Sequence, residues 1–359
     1  CLFATRNFVF AERTGTRFFS YLPLCHIAER NIVESLAIVT GGVIYFAENL
    51  DTFSKNLQNA NPTHFLAVPR IWTKFQLGIL SKLPQKKLNI LLRIPIVGSL
   101  IKKKIKKGLG LSETWMCYTG AAPMPVSLIQ WFGKLGIDIH EAYGMTENLG
   151  AVCMMPLGKK VEGSVGKVYP GMEVNIDKDT GEILTRSKWN MLGYYKEPQM
   201  TAETLDKEGW IHTGDVGELD SDGYLKITGR VKEMYKTSKG EYVAPAQIEM
   251  GFAENSNVEQ ICVVGQNLPQ PLALVVLSDI GRKVSREELV ENFKEQLNTL
   301  NPTLKSYEKV KKIVVLKELW TVENDKMTPT MKIKRNVIEK EFEPSYEKWY
   351  EDSEVIIFE

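Results

Sequence analysis

Apolar residues recur in two alternating periods along the first 145 residues. A spacing of three or four residues predicts helices over residues 29–40, 50–58, 70–80 and 126–135. Short apolar runs between them predict strands over residues 43–47, 64–68, 114–118 and 137–142. Strands that are separated by helices usually pair in parallel, so this region predicts a parallel α/β sheet.

The pattern changes between residues 161 and 230, where short apolar runs lie between turns that contain Gly, Asp and Pro. These runs predict strands over residues 173–176, 182–185, 210–212, 216–219 and 224–227. Asp222-Gly223 is a hairpin sequence, which sets the strands on either side of it antiparallel. We therefore expect a small antiparallel or barrel-like unit.

A third pattern follows Arg230 and mixes longer helices with strands. The helices are predicted over residues 246–253, 286–297 and 336–343, and the strands over residues 260–264, 272–277 and 311–316. We place a domain boundary at Arg230–Lys232. The sequence thus predicts an α/β protein in three parts: a sheet region over 1–160, a β-rich subdomain over 161–230 and an α+β domain over 231–359.

Composition narrows the class of protein. Of the 359 residues, 25% are charged and 43% are hydrophobic, which is typical of a folded globular protein. The net charge of +1 gives no basic excess, so we expect no nucleic-acid partner. The five cysteines show neither a Cys-x-x-Cys motif nor zinc-site spacing, and reduced thiols in a cytoplasmic protein are the simplest interpretation.

One segment departs from this even charge distribution. Residues 82–107 contain nine Lys or Arg and no Asp or Glu, interleaved with aliphatic residues. Such a segment can lie on an anionic membrane surface, which would place the protein peripherally on the inner face of a membrane. Alternatively, it is a solvated basic helix that packs its apolar side on the core. The sequence leaves both interpretations open.

The candidate chemistry begins with Tyr143-Gly144-Met145-Thr146-Glu147, which follows a predicted strand. The turn presents the Thr146 hydroxyl and the Glu147 carboxylate side by side. A phosphate oxygen accepts from a hydroxyl, and Mg²⁺ prefers hard oxygen ligands, so the pair suits a phosphate–Mg²⁺ group. A purely structural turn is the alternative.

Two further groups fit a nucleotide. The small residues Gly120, Ala121 and Ala122 follow a strand and would let a flat base approach the backbone, with Tyr143 stacking on it. A tight turn beside a core tyrosine is the alternative. Asp215 and Arg230 flank the predicted hairpin, where a carboxylate and a guanidinium would grip a ribose, or would form only a surface ion pair.

His26 and Lys332 are weaker candidates when each is considered alone. His26 lies after a Pro-fixed turn and before a predicted helix, so it either lines a pocket or only begins the helix. Lys332 lies in the stretch Thr328–Arg335, and a single lysine is usually a solvated surface group.

Taken in order, these motifs closely resemble those of the long-chain fatty acyl-CoA synthetases in the AMP-forming, adenylate-forming enzyme superfamily. The resemblance covers nearly the whole chain. Its motifs are Pro-Leu-x-His-x-x-Glu-Arg (23–30), Val-Pro-Arg-Ile-Trp (68–72), Gly-Ala-Ala-Pro (120–123), Tyr-Gly-Met-Thr-Glu (143–147), Gly-Trp-Ile-His-Thr-Gly-Asp (209–215), Gly-Arg (229–230) and Lys-Gly-Glu-Tyr-Val-Ala-Pro (239–245).

The resemblance implies a role for each candidate residue. Gly120, Ala121, Ala122 and Tyr143 would frame the adenine. Thr146 would contact the α-phosphate, and Glu147 would hold Mg²⁺. Asp215 and Arg230 would bind the ribose, and His26 would border the acyl pocket. Lys332 would bridge the carboxylate and the α-phosphate. Lys232 would be the hinge, and Lys236 with the Lys239-Gly240 loop would face the active site in the thioester step.

The implied activity is ATP-dependent ligation of a long-chain fatty acid to coenzyme A through an acyl-adenylate, with release of AMP and pyrophosphate. ATP, Mg²⁺ and coenzyme A would be required. The implied fold is part of a large adenylate-forming domain, a parallel α/β sheet with a small barrel-like subdomain, followed by a mobile C-terminal lid.

Two departures from the family pattern leave alternatives open. No Ser/Thr/Gly-rich phosphate-binding run precedes residue 23, so we expect a C-terminal portion of such an enzyme. A non-catalytic fragment, or a related adenylating enzyme with another acyl acceptor, is the alternative. Many members have Gly before the catalytic Lys, whereas this chain has Met331, which leaves Lys334 as a second candidate.

Overall fold

The computed structural model describes residues 15–49, 51–158 and 160–359, so the predicted helix start at Leu50 lies outside the described residues. The chain divides into two compact units. The first contains the residues up to Trp72 together with Leu83–Ile227, and the second contains Thr73–Lys82 together with Thr228–Glu359.

A mixed sheet forms the first unit, and one half of it is parallel. Its strands are β1 (Arg17–Ser20), β2 (Val43–Phe46), β3 (His64–Leu66), β4 (Met116–Thr119) and β5 (Ile139–Tyr143). They lie in the order β2-β1-β3-β4-β5 with every pair parallel. The predicted parallel sheet is confirmed, and helices connect most of its strands.

The antiparallel half continues the same sheet. Its strands are β6 (Cys153–Met154), β7 (Gly166–Val168), β8 (Glu173–Ile176), β9 (Glu182–Arg186), β10 (Ile211–Leu219) and β11 (Tyr224–Arg230). β6 pairs antiparallel with β5, and the order continues as β7-β11-β10-β9-β8. The predicted antiparallel strands are therefore present, but they extend the parallel strands and do not form a separate sheet.

The prediction of two strands at 210–212 and 216–219 is wrong. The structure has one strand, β10, whose pairing with β9 shifts register between His212 and Val216. Residues 213–215, which interrupted the apolar pattern, lie at this irregularity. The hairpin at Asp222-Gly223 is confirmed: Gly223 has φ +82°, and its N–H donates to the Asp220 carbonyl.

Helices connect the strands of the first unit. A π-helix (Glu29–Ser35) continues directly into α1 (Leu36–Thr40), where the sequence predicted one regular helix. The other helices are α2 (Phe53–Ala60), α3 (Pro69–Lys82), α4 (Gln85–Arg93), α5 (Pro95–Leu109), α6 (Val126–Lys134) and α7 (Pro198–Thr204). Residues of α3 fall in both units. Residues 82–107 therefore form mainly two helices, α4 and α5.

A four-stranded sheet is the centre of the second unit. Strands β14 (Val258–Val264), β15 (Leu272–Leu277), β16 (Lys312–Leu316) and β17 (Ile356–Phe358) lie in that order, with β14 antiparallel and the others parallel. Helices α8 (Pro245–Met250), α9 (Arg286–Leu300), α10 (Arg335–Phe342) and α11 (Tyr346–Glu351) accompany them. The short pair β12 (Tyr235–Lys236) and β13 (Tyr242–Val243) forms a separate two-stranded ladder.

This sheet is buried on both faces, which explains its continuous apolar strands. Ala273 and Val275 pack into one cluster with Phe252 and Phe293, while Leu272 and Leu274 pack into another with Trp320 and Trp349. Successive strand residues point to opposite faces, so each strand contributes to both clusters. No helix of the described part of the chain is long and apolar enough to cross a membrane.

Candidate active site

Several of the residues identified from the motifs line one cavity in the first unit. It lies where the parallel strands β4 and β5 end, as expected for ligand sites in α/β sheets. His26, Gly120, Ala121 and Tyr143 all line it. The rest of the lining is mainly apolar or small: Leu22, Ile27, Ala28, Asn31, Ile32, Leu66, Val68, Thr119, Ala142, Gly144 and Gly150.

Close backbone contacts fix the cavity wall at the ends of β4 and β5. A Cβ on Gly120 would lie 2.7 Å from the Ala142 carbonyl oxygen, and a Cβ on Gly144 would lie 2.3 Å from the Gly150 carbonyl carbon. Only glycine permits both approaches. The small residues predicted to admit a flat ligand therefore also let the chain fold this tightly.

The turn after β5 presents Thr146 and Glu147 on a short 3-10 helix, Thr146–Asn148. The Asn148 side chain accepts from the Met145 N–H at 2.8 Å and donates to the Thr185 hydroxyl at 3.3 Å. Asn148 is fully buried, whereas Thr146 is exposed. A buried amide thus holds the turn on which the exposed Thr146 lies.

Tyr143 and Asp215 are 72 residues apart in sequence and meet in the first unit. The Tyr143 hydroxyl donates to Asp215 Oδ2 at 2.8 Å. Burial, and then the Asp215 carboxylate, raise the pKa of Tyr143 well above its usual value, so the hydroxyl stays protonated. The prediction that Tyr143 and Asp215 serve one site is consistent with this contact.

Glu147 has a partner that the sequence did not indicate. The Tyr194 hydroxyl donates to Glu147 Oε1 at 2.6 Å, and the Met191 N–H donates to the Glu147 carbonyl at 2.7 Å. Burial and then the hydrogen bond to Glu147 raise the pKa of Tyr194, which keeps it a donor. The segment around Tyr194 therefore orients the predicted Mg²⁺ ligand.

The π-helix connects His26 to the same turn. His26 Nδ1 accepts from the Ala28 N–H at 3.1 Å just before the π-helix begins. Within the π-helix, the Asn31 amide donates to the Leu149 carbonyl. A π segment places side chains one residue out of the normal helical phase and is common at functional sites. Here it brings Asn31 to the turn that carries Glu147.

The cysteines of the described residues differ in exposure. Cys25, next to His26, is exposed, whereas Cys117, Cys153 and Cys262 are buried. Burial raises the pKa of the Cys117 thiol to about 12. No two cysteines of the described residues form a disulfide.

The side chains that could coordinate Mg²⁺ decide whether the ion fits this site. No group of three or more His, Cys, Asp or Glu within residues 15–49, 51–158 and 160–359 is placed to hold a metal. Mg²⁺ commonly uses one or two carboxylates and completes its shell with water and substrate phosphates. Glu147, half-buried and oriented by Tyr194, fits that arrangement as a single protein ligand.

Ala122 lies in the first unit, where it is exposed and is not part of the cavity lining, and the other predicted residues lie in the second unit. Arg230 ends β11, and its guanidinium lies 3.8 Å from Glu233 Oε1. Lys232 is in the 3-10 turn Val231–Glu233 that follows. The Lys236 ammonium lies 4.9 Å from the centre of the Tyr242 ring. Gly240, at φ +82°, turns the chain between β12 and β13.

Lys332 lies in a tight loop. The sequence analysis identified this stretch as a motif and predicted no structural element for it. Its N–H donates to the Thr328 hydroxyl at 3.0 Å, and its carbonyl accepts from the Thr328 N–H at 2.8 Å. Met331 before it adopts φ +61°, the left-handed conformation that glycine favours. The loop therefore demands the backbone that a glycine at this position would supply. The Lys334 ammonium forms an ion pair with Asp325.

Two family models match the chain. "AMP-binding enzyme" matches residues 2–195, and "AMP-binding enzyme C-terminal domain" matches residues 233–354. The chain belongs to the AMP-binding enzyme family. The first model covers more than half of the sequence and includes the cavity, the Thr146-Glu147 turn and Tyr194.

Relatives of this AMP-binding enzyme include fatty-acid–CoA ligases. It is 33% identical to long-chain-fatty-acid–CoA ligase 5 of Mus musculus, with 93% of this chain and 56% of the relative covered. It is 30% identical to the putative fatty-acid–CoA ligase fadD11 of Mycobacterium tuberculosis, with 95% and 68% covered. The chain spans about half the length of the mouse relative.

Solved structures share the fold. The adenylation domain of a carboxylate reductase from Mycobacterium chelonae matches with a TM-score of 0.77 at 24% identity, covering 94% of this chain and 54% of that one. ATP-bound MatB from Rhodopseudomonas palustris matches with a TM-score of 0.71 at 23% identity, covering 96% and 63%. The adenylate-forming fold implied by the motifs is confirmed.

Proposed function

We propose that this AMP-binding enzyme activates a long-chain fatty acid with ATP and transfers the acyl group to coenzyme A, releasing AMP and pyrophosphate. The support is the motif set together with relatives named as fatty-acid–CoA ligases. The observation that carries the proposal is the hydrogen bond between Tyr143 and Asp215 beside a cavity that His26, Gly120 and Ala121 also line.

The first unit would bind the nucleotide. Gly120, Ala121 and Ala122 would admit the adenine beside Tyr143, and Asp215 would accept from the ribose hydroxyls. The Thr146 hydroxyl would donate to an α-phosphate oxygen. Mg²⁺ on Glu147 would neutralise phosphate charge, because the attacking carboxylate and ATP are both anionic. The apolar cavity wall around His26 would border the acyl chain.

The second unit would supply cations. We assign Arg230 to the ribose and Lys332 to the oxygens that gain charge during adenylation. Lys334, whose ammonium pairs with Asp325, remains the second candidate. Adenylation and thioester formation need different groups, which suits a mobile domain. We therefore propose that residues 231–359 rotate about Lys232. The rotation would follow nucleotide binding by residues 1–160 and 161–230. Lys236 and Gly240 would then serve the thioester step.

Replacement of Lys332 by Ala tests the adenylation role. In the complete natural protein, fatty-acid-dependent ATP–pyrophosphate exchange should slow by roughly 100- to 1,000-fold, the usual effect of losing one electrostatic stabiliser. Lys340→Ala, at an exposed position of α10, is the matched control and should retain activity. If Lys334→Ala slows exchange and Lys332→Ala does not, the assignment of the catalytic lysine is wrong.

A substrate panel tests the acid and the acceptor. Acetate, medium-chain and long-chain fatty acids would be compared with coenzyme A and with an acyl-carrier protein as acceptors. The proposal requires long-chain acids and coenzyme A to give the highest kcat/KM. Preference for another acid or acceptor would identify a different adenylating enzyme, and nucleotide binding without turnover would identify a non-catalytic chain.

A further inference from the structure

The helices α4 and α5 expose aliphatic side chains that the core does not cover. Ile90 is 61% exposed, Ile94 45%, Ile96 77% and Leu100 62%. Leu88 is buried and faces the core, so the helices do have an inner side. If the apolar side of these helices packs on the core, it does so without these four residues, which lie between the end of α4 and the middle of α5.

The exposed aliphatic residues share helix faces with basic residues. On α5, Ile96, Leu100, Lys103, Lys104 and Lys107 are all exposed, and their spacing places them on one face. On α4, Lys86, Ile90 and Arg93 repeat the arrangement. Each outward face thus combines aliphatic and cationic side chains.

Acidic residues are absent from this part of the sequence. No Asp or Glu occurs between Asp51 and Glu113, although the chain as a whole is nearly neutral at +1. Exposed cations without intervening carboxylates produce a local positive potential that ordinary solubility does not need. The charge pattern therefore indicates an anionic partner at this surface.

Both ends of the helical pair are fixed to the first unit. The Trp131 indole on α6 donates to Gln85 at the start of α4, at 2.8 Å. Near the end of α5, the Gln58 amide on α2 donates to the Gly108 carbonyl at 2.6 Å. The corner between them is tight, because a Cβ on Gly98 would lie 2.9 Å from the Leu92 carbonyl oxygen. The exposed faces are therefore presented by an ordered element.

We propose that the outward faces of α4 and α5 form a peripheral binding surface for an anionic lipid bilayer. The cationic side chains would contact lipid phosphates, while Ile90, Ile94, Ile96 and Leu100 would enter the interfacial region. A nucleic acid is disfavoured, because residues 82–109 contain no aromatic side chain for base stacking. Exposed aliphatic residues are instead what a bilayer interface accepts.

Co-sedimentation with lipid vesicles tests the surface directly. The purified protein should bind phosphatidylcholine vesicles that contain phosphatidylglycerol and should not bind those that lack it. Raising the salt concentration should weaken binding, because it screens exposed charges. The triple variant Lys103→Glu, Lys104→Glu and Lys107→Glu should lose binding by roughly 100-fold or more.

A matched triple variant separates local from overall charge. Lys55→Glu, Lys178→Glu and Lys207→Glu are also exposed, and both triples change the net charge from +1 to −5, since each of the three exchanges removes two units. Only the first should lose binding. The double variant Ile96→Ser and Leu100→Ser, which leaves charge unchanged, should weaken binding by roughly 10-fold.

Three results would overturn the proposal. They are equal loss in both triple variants, binding that survives the α5 triple, or equal binding to vesicles without phosphatidylglycerol. A single-stranded RNA that binds through Lys103, Lys104 and Lys107 but ignores Ile96 and Leu100 would replace the bilayer by a nucleic acid. Thermal unfolding of each variant, compared with the parent, checks that these exposed substitutions leave the fold intact.

Discussion

The contact between Tyr194 and Glu147 is the residue-scale feature with the most direct consequence for metal binding. A single carboxylate holds Mg²⁺ best in a fixed orientation, and for Glu147, the proposed Mg²⁺ ligand, the Tyr194 hydroxyl donates a hydrogen bond at 2.6 Å. Neighbours that orient a metal ligand affect metal affinity without touching the metal. Tyr194 is therefore a positioning residue.

Replacing Tyr194 by Phe removes this hydrogen bond and keeps the ring. We expect the Mg²⁺ concentration for half-maximal adenylation to rise by roughly 10-fold, at the low end of the 10- to 100-fold typical of such neighbours because Tyr194 is partly exposed. Titration of Mg²⁺ at saturating ATP measures it. Tyr195→Phe, at the exposed adjacent ring, is the control. An unchanged Mg²⁺ titration for Tyr194→Phe would assign the contact to the fold alone.

We expect the buried Glu141 carboxyl on β5 to make the free energy of unfolding depend on pH. Burial raises its pKa from 4.5 to about 8, against the opposing influence of Lys160. The folded state therefore keeps a proton that the unfolded state releases, so the free energy of unfolding falls as pH rises from 4.5 to about 8.

Glu141→Gln removes this titration, because the amide stays neutral. We expect the variant to gain about 2–4 kcal/mol over the parent above pH 8 and little near pH 4.5. Urea unfolding across that range measures the difference. Glu113→Gln, at an exposed position, should give a curve parallel to the parent. A constant difference between Glu141→Gln and the parent at all pH values would contradict the assignment.

At the scale of elements, the apolar period predicted most strands because most strands bury residues on at least one face. The strands at Glu173–Ile176 and Leu272–Leu277 have the predicted bounds. The period failed where geometry depends on partners: the register shift in β10 divided one strand into two predictions, and the π-helix was read as a regular helix. Neither irregularity has a distinct local sequence pattern.

The residues of the candidate site were also predicted only in part from the sequence. The motifs identified His26, Gly120, Ala121 and Tyr143, and the cavity brings these four together. They did not identify Tyr194 or Asn31, whose partners are 47 and 118 residues away in sequence. Gly193, at φ +142°, lies next to Tyr194 in the sequence, but the partner of the Tyr194 hydroxyl depends on the tertiary fold.

Gly144 joins β5 to the Thr146-Glu147 turn, and its replacement by Ala tests that junction. A Cβ there would lie 2.3 Å from the Gly150 carbonyl carbon, so the turn must shift. We expect a loss of about 1–3 kcal/mol in unfolding free energy together with weaker AMP binding. Chemical denaturation and calorimetric titration with AMP measure the two effects.

Gly133→Ala in α6 is the opposite case and serves as its control. A Cβ at Gly133 meets nothing within 4 Å, so the helix should gain about 0.5–1 kcal/mol. AMP binding should not change. If both variants destabilised the protein equally, the close approach at Gly144 would not be the cause.

For the whole molecule, the question is whether the second unit moves during the reaction. Lys232 lies in the turn Val231–Glu233, between the last strand of the mixed sheet and the first strand of the β12–β13 ladder. A rotation of residues 231–359 would require φ and ψ changes at such a position. The three predicted domain bounds, 1–160, 161–230 and 231–359, remain a proposal that depends on this motion.

Lys232→Pro fixes φ at the proposed hinge and tests the rotation. In the complete natural protein we expect ATP–pyrophosphate exchange to persist, while acyl-CoA formation slows by roughly 10-fold or more. Lys232→Ala, which removes the charge but leaves φ free, should keep both steps. Equal slowing of both steps by Lys232→Pro would indicate a damaged fold and would argue against a hinge at this residue.

The uneven exposure of the cysteines offers a chemical handle. Cys25 is exposed next to a residue that lines the cavity, while Cys117, Cys153 and Cys262 are buried. With Cys1 replaced by Ser, a maleimide fluorophore should attach at Cys25 alone. Its emission would then report, in real time and without a coupled assay, when a molecule enters the neighbouring cavity and when it leaves.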